Sequence, residues 1–400
     1  MKLTKNNILR PESTFILKTA FFLSTFGASA WLTFFYIYLE DSAGLRGGQI
    51  GIIAAVQQFA TIFMLPVWGL LADKFGRRKV LLIALCISSL SLLLFMPEAG
   101  FKYYLLMMLF VVLFTSPVNT LLDSIALDFV QQYKKSSYGE LRLWASIGWS
   151  SATLLIGQLL NIFPLQIIFP VATTAIFLNF LIMLFLYKPL KIQTNPQVLS
   201  IKNAYNLFAK NRFLMIFFFL LMLYGTASPP VFLFLNLYIK EIGGTASDIG
   251  IAFAIQSVSE FPFFFWGKYL ITKFGAKKLL VFSMIVTAVR FGFFSIINDP
   301  AYVFVLSSFH GITFAVFMIS VIDILHKLIP VEWKATAQSL FYASFFGAGI
   351  GLGNLVMGYM KDIIGMQKIM YYDTIWTAFI IIAFTAFFGY GRIKNKLMKI

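Results

Sequence analysis

The 400-residue sequence has one cysteine, Cys86, and two histidines, His310 and His326. A single thiol excludes an internal disulfide framework and a multi-cysteine metal site. The two histidines lack metal-ligand spacing, so no metal is expected. Charge is also scarce, at 12% of residues where a soluble domain carries about 25%. Acidic residues are scarcest, 16 against 32 lysines and arginines, which leaves a net charge of +16. No P-loop is present, and no nucleophile–base pair is visible. Gly347, Gly349, Gly351 and Gly353 alternate, but no strand precedes them, so they are not a dinucleotide fingerprint; small residues for close helix packing fit better. ATP-driven transport is unsupported, and neither an enzyme nor an organic cofactor is expected.

What fills the chain is apolar: 60% of residues are hydrophobic. That composition argues against extracellular, nucleic-acid-binding and soluble-enzyme classes. A membrane helix needs about 20 mostly apolar residues, so the chain has room for roughly twelve. Apolar runs between short polar breaks give spans 15–40, 48–72, 79–97, 103–131, 139–161, 166–187, 212–239, 247–272, 279–297, 301–328, 335–360 and 369–390. They are far longer than the roughly 10-residue alternating strands of a membrane barrel. The expected fold class is an all-α integral membrane protein with twelve spans, its partners the lipid bilayer and a small-molecule substrate.

The basic excess has a topological reading. Twenty-six of the 32 Lys and Arg residues fall at the two termini and in alternate loops, five lie on the opposite side, and Arg290 sits inside a span. Basic loops stay in the cytoplasm, so both termini are expected there, in the cell's inner (plasma) membrane, with an even span count. The nucleic-acid reading of the charge falls away. Ala28-Ser29-Ala30 looks like a signal-peptide cleavage site, but cutting there would leave an odd count, so the segment is expected to stay.

The chain also resembles itself at an offset of 198–199 residues. Gly27 matches Gly225, Ile50-Gly51 matches Ile249-Gly250, Trp68-Gly69 matches Trp266-Gly267, and Phe75-Gly76 matches Phe274-Gly275. Six spans per repeat put both halves in the same orientation, as parallel repeats about an axis along the membrane normal. The expected division is an N-terminal six-helix bundle over 1–187, a cytoplasmic linker over 188–211 and a C-terminal bundle over 212–400. Such paired bundles hold substrate near mid-membrane and work by alternating access. Gly225 with Pro229-Pro230 predicts a kink in span seven.

Between spans two and three runs Gly69-Leu70-Leu71-Ala72-Asp73-Lys74-Phe75-Gly76-Arg77-Arg78-Lys79. It resembles the signature loop of the major facilitator superfamily at every defining position. Gly69 would allow close helix approach, Gly76 a tight turn. Arg77, Arg78 and Lys79 can pair with acids or headgroups on the cytoplasmic side, and the resemblance implies that this loop latches the halves in the outward-facing state, with Asp73 in that role. The second-half counterpart, Gly267 to Lys278, has Ile271 and Thr272 where the aspartate would fall, so any latch should be asymmetric. A narrower resemblance rests on Tyr138-Gly139-Glu140-Leu141-Arg142-Leu143-Trp144, with Asp123-Ser124-Ile125-Ala126-Leu127, His310-Gly311-Ile312-Thr313-Phe314 and Ala335-Thr336-Ala337-Gln338-Ser339-Leu340. These segments look like the phenylpropionate-permease-like branch, which is similar to oligosaccharide and nucleoside proton symporters.

Ionisable groups at membrane depth are functional candidates. They are Asp123 in span four, Asp323 at the matching place in span ten, Glu260 beside Pro262 in span eight, Arg290 in span nine and His310 in span ten. Arg290 either binds an anionic substrate or neutralises Glu260 or Asp323. Glu260 and His310 can change protonation, which proton coupling needs. Asp128 follows Asp123 by five residues, about 140° around a helix, so the two do not share a face; Asp128 is expected to meet Arg142 or Arg77 near the cytoplasmic gate. These features fit a proton symporter, expected as a monomer, that imports an aromatic acid, sugar or nucleoside. An exporter on the same fold and a non-transporting membrane sensor are the alternatives.

Overall fold

The computed structural model describes residues 11–133, 137–187, 211–330 and 333–397. Every regular element among them is helical. The first half contributes α1 (Pro11–Asp41), α2 (Gly47–Phe75), α3 (Arg77–Ser91), α4 (Phe101–Tyr133), α5 (Tyr138–Leu159) and α6 (Ile168–Phe185). The second contributes α7 (Arg212–Thr226), α8 (Pro229–Phe232), α9 (Leu235–Glu241), α10 (Ala246–Phe265), α11 (Gly267–Phe274) and α12 (Ala276–Phe294). It continues with α13 (Ala301–Ser308), α14 (Val316–Leu328), α15 (Lys334–Tyr342) and α16 (Ile350–Leu397). π turns over Gly311–Ala315 and Ala343–Gly349 join α13 to α14 and α15 to α16.

Among the described residues seven helices are long and apolar enough to cross a membrane, or eight if the pair α10–α11, bent by 60°, is one span. The expected twelve is not reached by this measure, and the reasons are local. α7 stops after 15 residues because Pro229 and Pro230 follow, and proline supplies no amide for a helical bond. Ser, Gly and Trp dilute α5, whose first turn also carries Glu140. α12 includes Lys277, Lys278 and Arg290. The last candidate runs Thr336–Gly389, 54 residues, about 80 Å if straight, but the backbone leaves helical geometry at Gly365, at φ 77°. Glu241 caps the helix that restarts there, accepting from Met366 N at 2.8 Å and Gln367 N at 3.1 Å.

The chain divides into two compact units, 1–43 with 60–196, and 44–59 with 197–400. Residues 44–59, which include the N-terminal turns of α2, therefore group with the second unit, a departure from a plain division into halves. The expected linker, save Asn211, lies outside the described residues.

In the first unit α1 packs on α5 and α6, and α3 on α4 and α6. Small and polar residues hold these contacts, as they do where lipid offers no hydrophobic driving force. Thr25 donates to Ala145 O at 2.6 Å and Asn179 to Ala20 O at 3.1 Å. A Cβ on Gly148 would lie 2.3 Å from Phe22 O. Pro117 inside α4 frees the carbonyl four residues earlier, and Trp68 Nε1 donates to that carbonyl, Leu113 O, at 2.6 Å.

In the second unit α7 packs on α16 and the turn before it, α12 on α16, and α10 on α13. Phe217, Phe317, Phe341, Phe345 and Phe384 fill the core. Gly349 and Gly353 bring α7 within backbone contact: their Cβ atoms would meet Met222 O at 2.5 Å and Thr226 O at 2.4 Å. The repeat is visible in three dimensions. Gly76 and Gly275 both turn with positive φ, 92° and 81°. Tyr38 donates to Phe95 O at 2.6 Å, and Tyr238 donates to Phe294 O at 2.7 Å.

Candidate functional site

Three of the five ionisable groups expected at depth meet inside the second unit. Glu260 is carried by α10, Arg290 by α12, and His310 by the turn that opens the π segment after α13. Gly311 makes this meeting possible, since a Cβ there would fall 2.0 Å from Ser259 O. Its amide donates to Ser259 Oγ at 2.9 Å, which ties the π turn to α10.

Arg290 Nη1 lies 3.2 Å from His310 Nδ1 and 3.3 Å from Thr313 Oγ1. On the other edge of the imidazole, Nε2 lies 3.4 Å from Glu260 Oε1. A guanidinium only donates. Nδ1 must therefore offer its lone pair, and the ring proton sits on Nε2 toward the carboxylate. The imidazole is neutral while both contacts stand. Arg290 is 2% exposed and His310 4%, so neither can shed its partner to bulk water at small cost. The Nε and Nη2 atoms of Arg290 have no hydrogen-bond partner among the described residues, and Phe294 packs 5.3 Å from its guanidinium carbon. Phe314 stacks on the His310 ring at 5.3 Å.

Beside this line is a cavity of about 20 Å³ among Tyr224, Ser228, Thr287, His310, Thr313 and Phe232, room for about one water. Tyr224 donates to Thr287 Oγ1 at 2.9 Å. Thr313 is three residues from His310, on the same helical face, and that spacing was its signal in sequence; Tyr224 and Thr287 left none. Asp373 is the single carboxylate of the last apolar run and is 7% exposed, with its Oδ2 unpartnered among the described residues. Hydropathy alone could have singled it out.

Asp323 does not join the group; it pairs with Lys327 at 2.6 Å one turn along α14. In the first unit Arg77 pairs with Asp128. Arg78 donates to Met183 O at 3.2 Å and Leu184 O at 2.7 Å, capping the end of α6. Asp123 keeps Oδ1 buried without a partner among the described residues and lies in the field of Arg142. Asp73 is exposed. Gly69 departs from expectation: nothing lies within 4 Å of where its Cβ would be, because α2 meets no neighbouring backbone there.

Membrane-spanning helices in two sequence repeats, with ionisable groups held at depth, define a solute carrier. The profile of the MFS_1-like family matches residues 14–372, and the chain belongs to that family of the major facilitator superfamily. It is 27% identical over 344 residues to the maltose permease of Geobacillus stearothermophilus, covering 86% of each chain. The nucleoside permease NupG of Escherichia coli (strain K12) is 26% identical over 410 residues, covering 94% of this chain and 96% of its own. The probable 3-phenylpropionic acid transporter of the same strain is 23% identical over 364 residues, covering 88% and 93%. The crystal structure of nucleoside transporter NupG shares the fold, with a TM-score of 0.83 at 22% identity over 94% of this chain and 98% of that one. The chain is a secondary transporter of small solutes, in a family of permeases rather than enzymes.

Proposed function

We propose that the protein is a proton-coupled symporter that imports a small organic solute by alternating access, as a multi-pass monomer of the inner (plasma) membrane with cytoplasmic termini. The solute class follows the names of its relatives: an aromatic acid, a sugar or a nucleoside. Twelve spans result when α7–α9, α10–α11, α13–α14 and α15 with the first part of α16 each count as one interrupted crossing, and α16 beyond Gly365 as the last.

The observation that carries the coupling is the line Glu260–His310–Arg290, with the neutral ring bonded on both edges. A proton delivered to Nδ1 removes the lone pair that Arg290 uses there, so the ring gains charge as the guanidinium loses one of its two acceptors. The released donors, with Nε and Nη2 already uncommitted, suit the oxygen atoms of a solute. Glu260 stabilises the charged ring. The water-sized cavity beside the ring, bordered by the hydroxyls of Tyr224, Ser228, Thr287 and Thr313, supports the reading by leaving room for a water next to His310. On the side of the basic loops, Asp73, Arg77, Arg78, Asp128 and Arg142 form the gate, with Gly76 turning its backbone.

The test is uptake of labelled maltose, uridine and phenylpropionate into proteoliposomes with an imposed inward proton gradient. Accumulation of one solute that collapses with a protonophore supports the proposal. Uptake indifferent to the gradient would overturn proton coupling, and no transport of any solute would overturn the symporter.

A further inference from the structure

The second-half counterpart of the signature loop lacks the aspartate, and its structure differs as well. α10 is 20 residues long, about 30 Å, enough to cross the hydrocarbon core. α11 then departs at 60°. Its eight residues are amphipathic. Gly267 packs against Ile319, its Cβ position 3.2 Å from that side chain, and Ile271 packs against the apolar core. On the other side Phe265, Trp266, Tyr269 and Phe274 are exposed, Phe265 at 82%. Lys268, Lys273, Lys277 and Lys278 are exposed among them. No acidic residue occurs anywhere from Phe261 to Asn298.

We propose that α11 and the start of α12 form a docking surface for anionic phospholipid headgroups. The aromatic side chains suit the interface, where rings sit at headgroup level, and a helix with lysines on one face and apolar residues on the other lies in that plane. Lys273 Nζ is held 3.0 Å from Tyr269 Oη and 5.3 Å from the Phe274 ring. Lys277 Nζ stands over Phe388 at 5.4 Å. Both ammonium groups are thus positioned by rings and keep donors for phosphate oxygens. The first-half loop keeps an exposed carboxylate, Asp73, among its basic residues, whereas α11 has none.

Trp266 reports on this surface directly. The full-length protein is reconstituted in phosphatidylcholine containing either brominated phosphatidylglycerol or brominated phosphatidylcholine at equal mole fraction. The Trp266 signal is the fluorescence difference between the parent and W266F. The expected result is stronger quenching by the anionic lipid, a preference that weakens by about fivefold for each lysine replaced by glutamine and vanishes in K268Q/K273Q/K277Q/K278Q. Equal quenching by both lipids in the parent overturns the proposal, as does a preference that survives in the quadruple variant. If that variant does not fold, salt serves instead: the preference of the parent should fall steeply between 0.05 and about 1 M salt, where the Debye length shrinks to about 3 Å, and a salt-independent preference overturns it equally.

Discussion

The Nε2 atom of His310 lies 3.4 Å from Oε1 of Glu260, across the imidazole from Arg290. One ring therefore separates the carboxylate from the guanidinium, and its protonation decides whether it can keep the guanidinium as well. Replacing Glu260 by Gln keeps a hydrogen-bond acceptor and removes the charge. Solute exchange across the membrane at equal pH should continue, while accumulation driven by a proton gradient falls by tenfold or more. Parallel loss of both activities would mean that Glu260 only supports the fold.

Thr313 is the second acceptor of Arg290 Nη1. Thr313→Val keeps the shape and leaves a buried donor unpaired, which costs about 1–3 kcal/mol. The thermal midpoint in detergent should drop, whereas Thr313→Ser should restore most of it. A valine variant as stable as the parent would show that the contact is dispensable.

Arg77 and Asp128 form a partly buried pair, with 32% and 18% of their side chains exposed. A pair this accessible is worth about 1 kcal/mol or less. A double-mutant cycle with Arg77→Gln and Asp128→Asn should return a coupling energy of that size. The charge-reversed double variant should recover stability that each single reversal loses.

The N-terminal turns of α2 pack on α16 without room for a side chain. A Cβ on Gly51 would meet Asn354 O at 2.4 Å and Gly358 Cα at 2.9 Å. Asp362 seals the contact, accepting from Gly47 N at 2.7 Å and Gly48 N at 2.8 Å, where the helix N-terminus favours a carboxylate. Gly358→Val must separate the two helices. Asn354→Cys, unreactive in the parent background because the site is buried, should then become reactive to an impermeant maleimide.

Much of this architecture was legible because certain residues carry their conformation with them. Gly76 and Gly275 mark matching turns since positive φ favours glycine, and the long apolar runs mark helices. The proline pair at 229–230 announced the break in span seven. The matched bonds of Tyr38 and Tyr238 were not legible, for their acceptors are backbone carbonyls, which leave no trace in sequence. Glu260, Arg290 and His310 stand out singly as charges in apolar runs, but their grouping depends on how α10, α12 and α13 pack. Asp323 looked like an equal member and instead found Lys327 one turn away. The role expected of Gly69 failed for a similar reason: a small residue permits close approach but does not supply the neighbour.

The π turn over Gly311–Ala315 has a consequence for the helix that contains it. A π turn closes on the fifth residue rather than the fourth, so it stores one residue of slack. Counting residues across it misstates by about 100° which way the lower half points. Tightening that turn into α form would eject the spare residue and swivel α14, with Asp323 on it, by the same angle beneath His310. The spare residue at the turn would thus let half of the helix be re-aimed with one change of hydrogen-bond register rather than by melting.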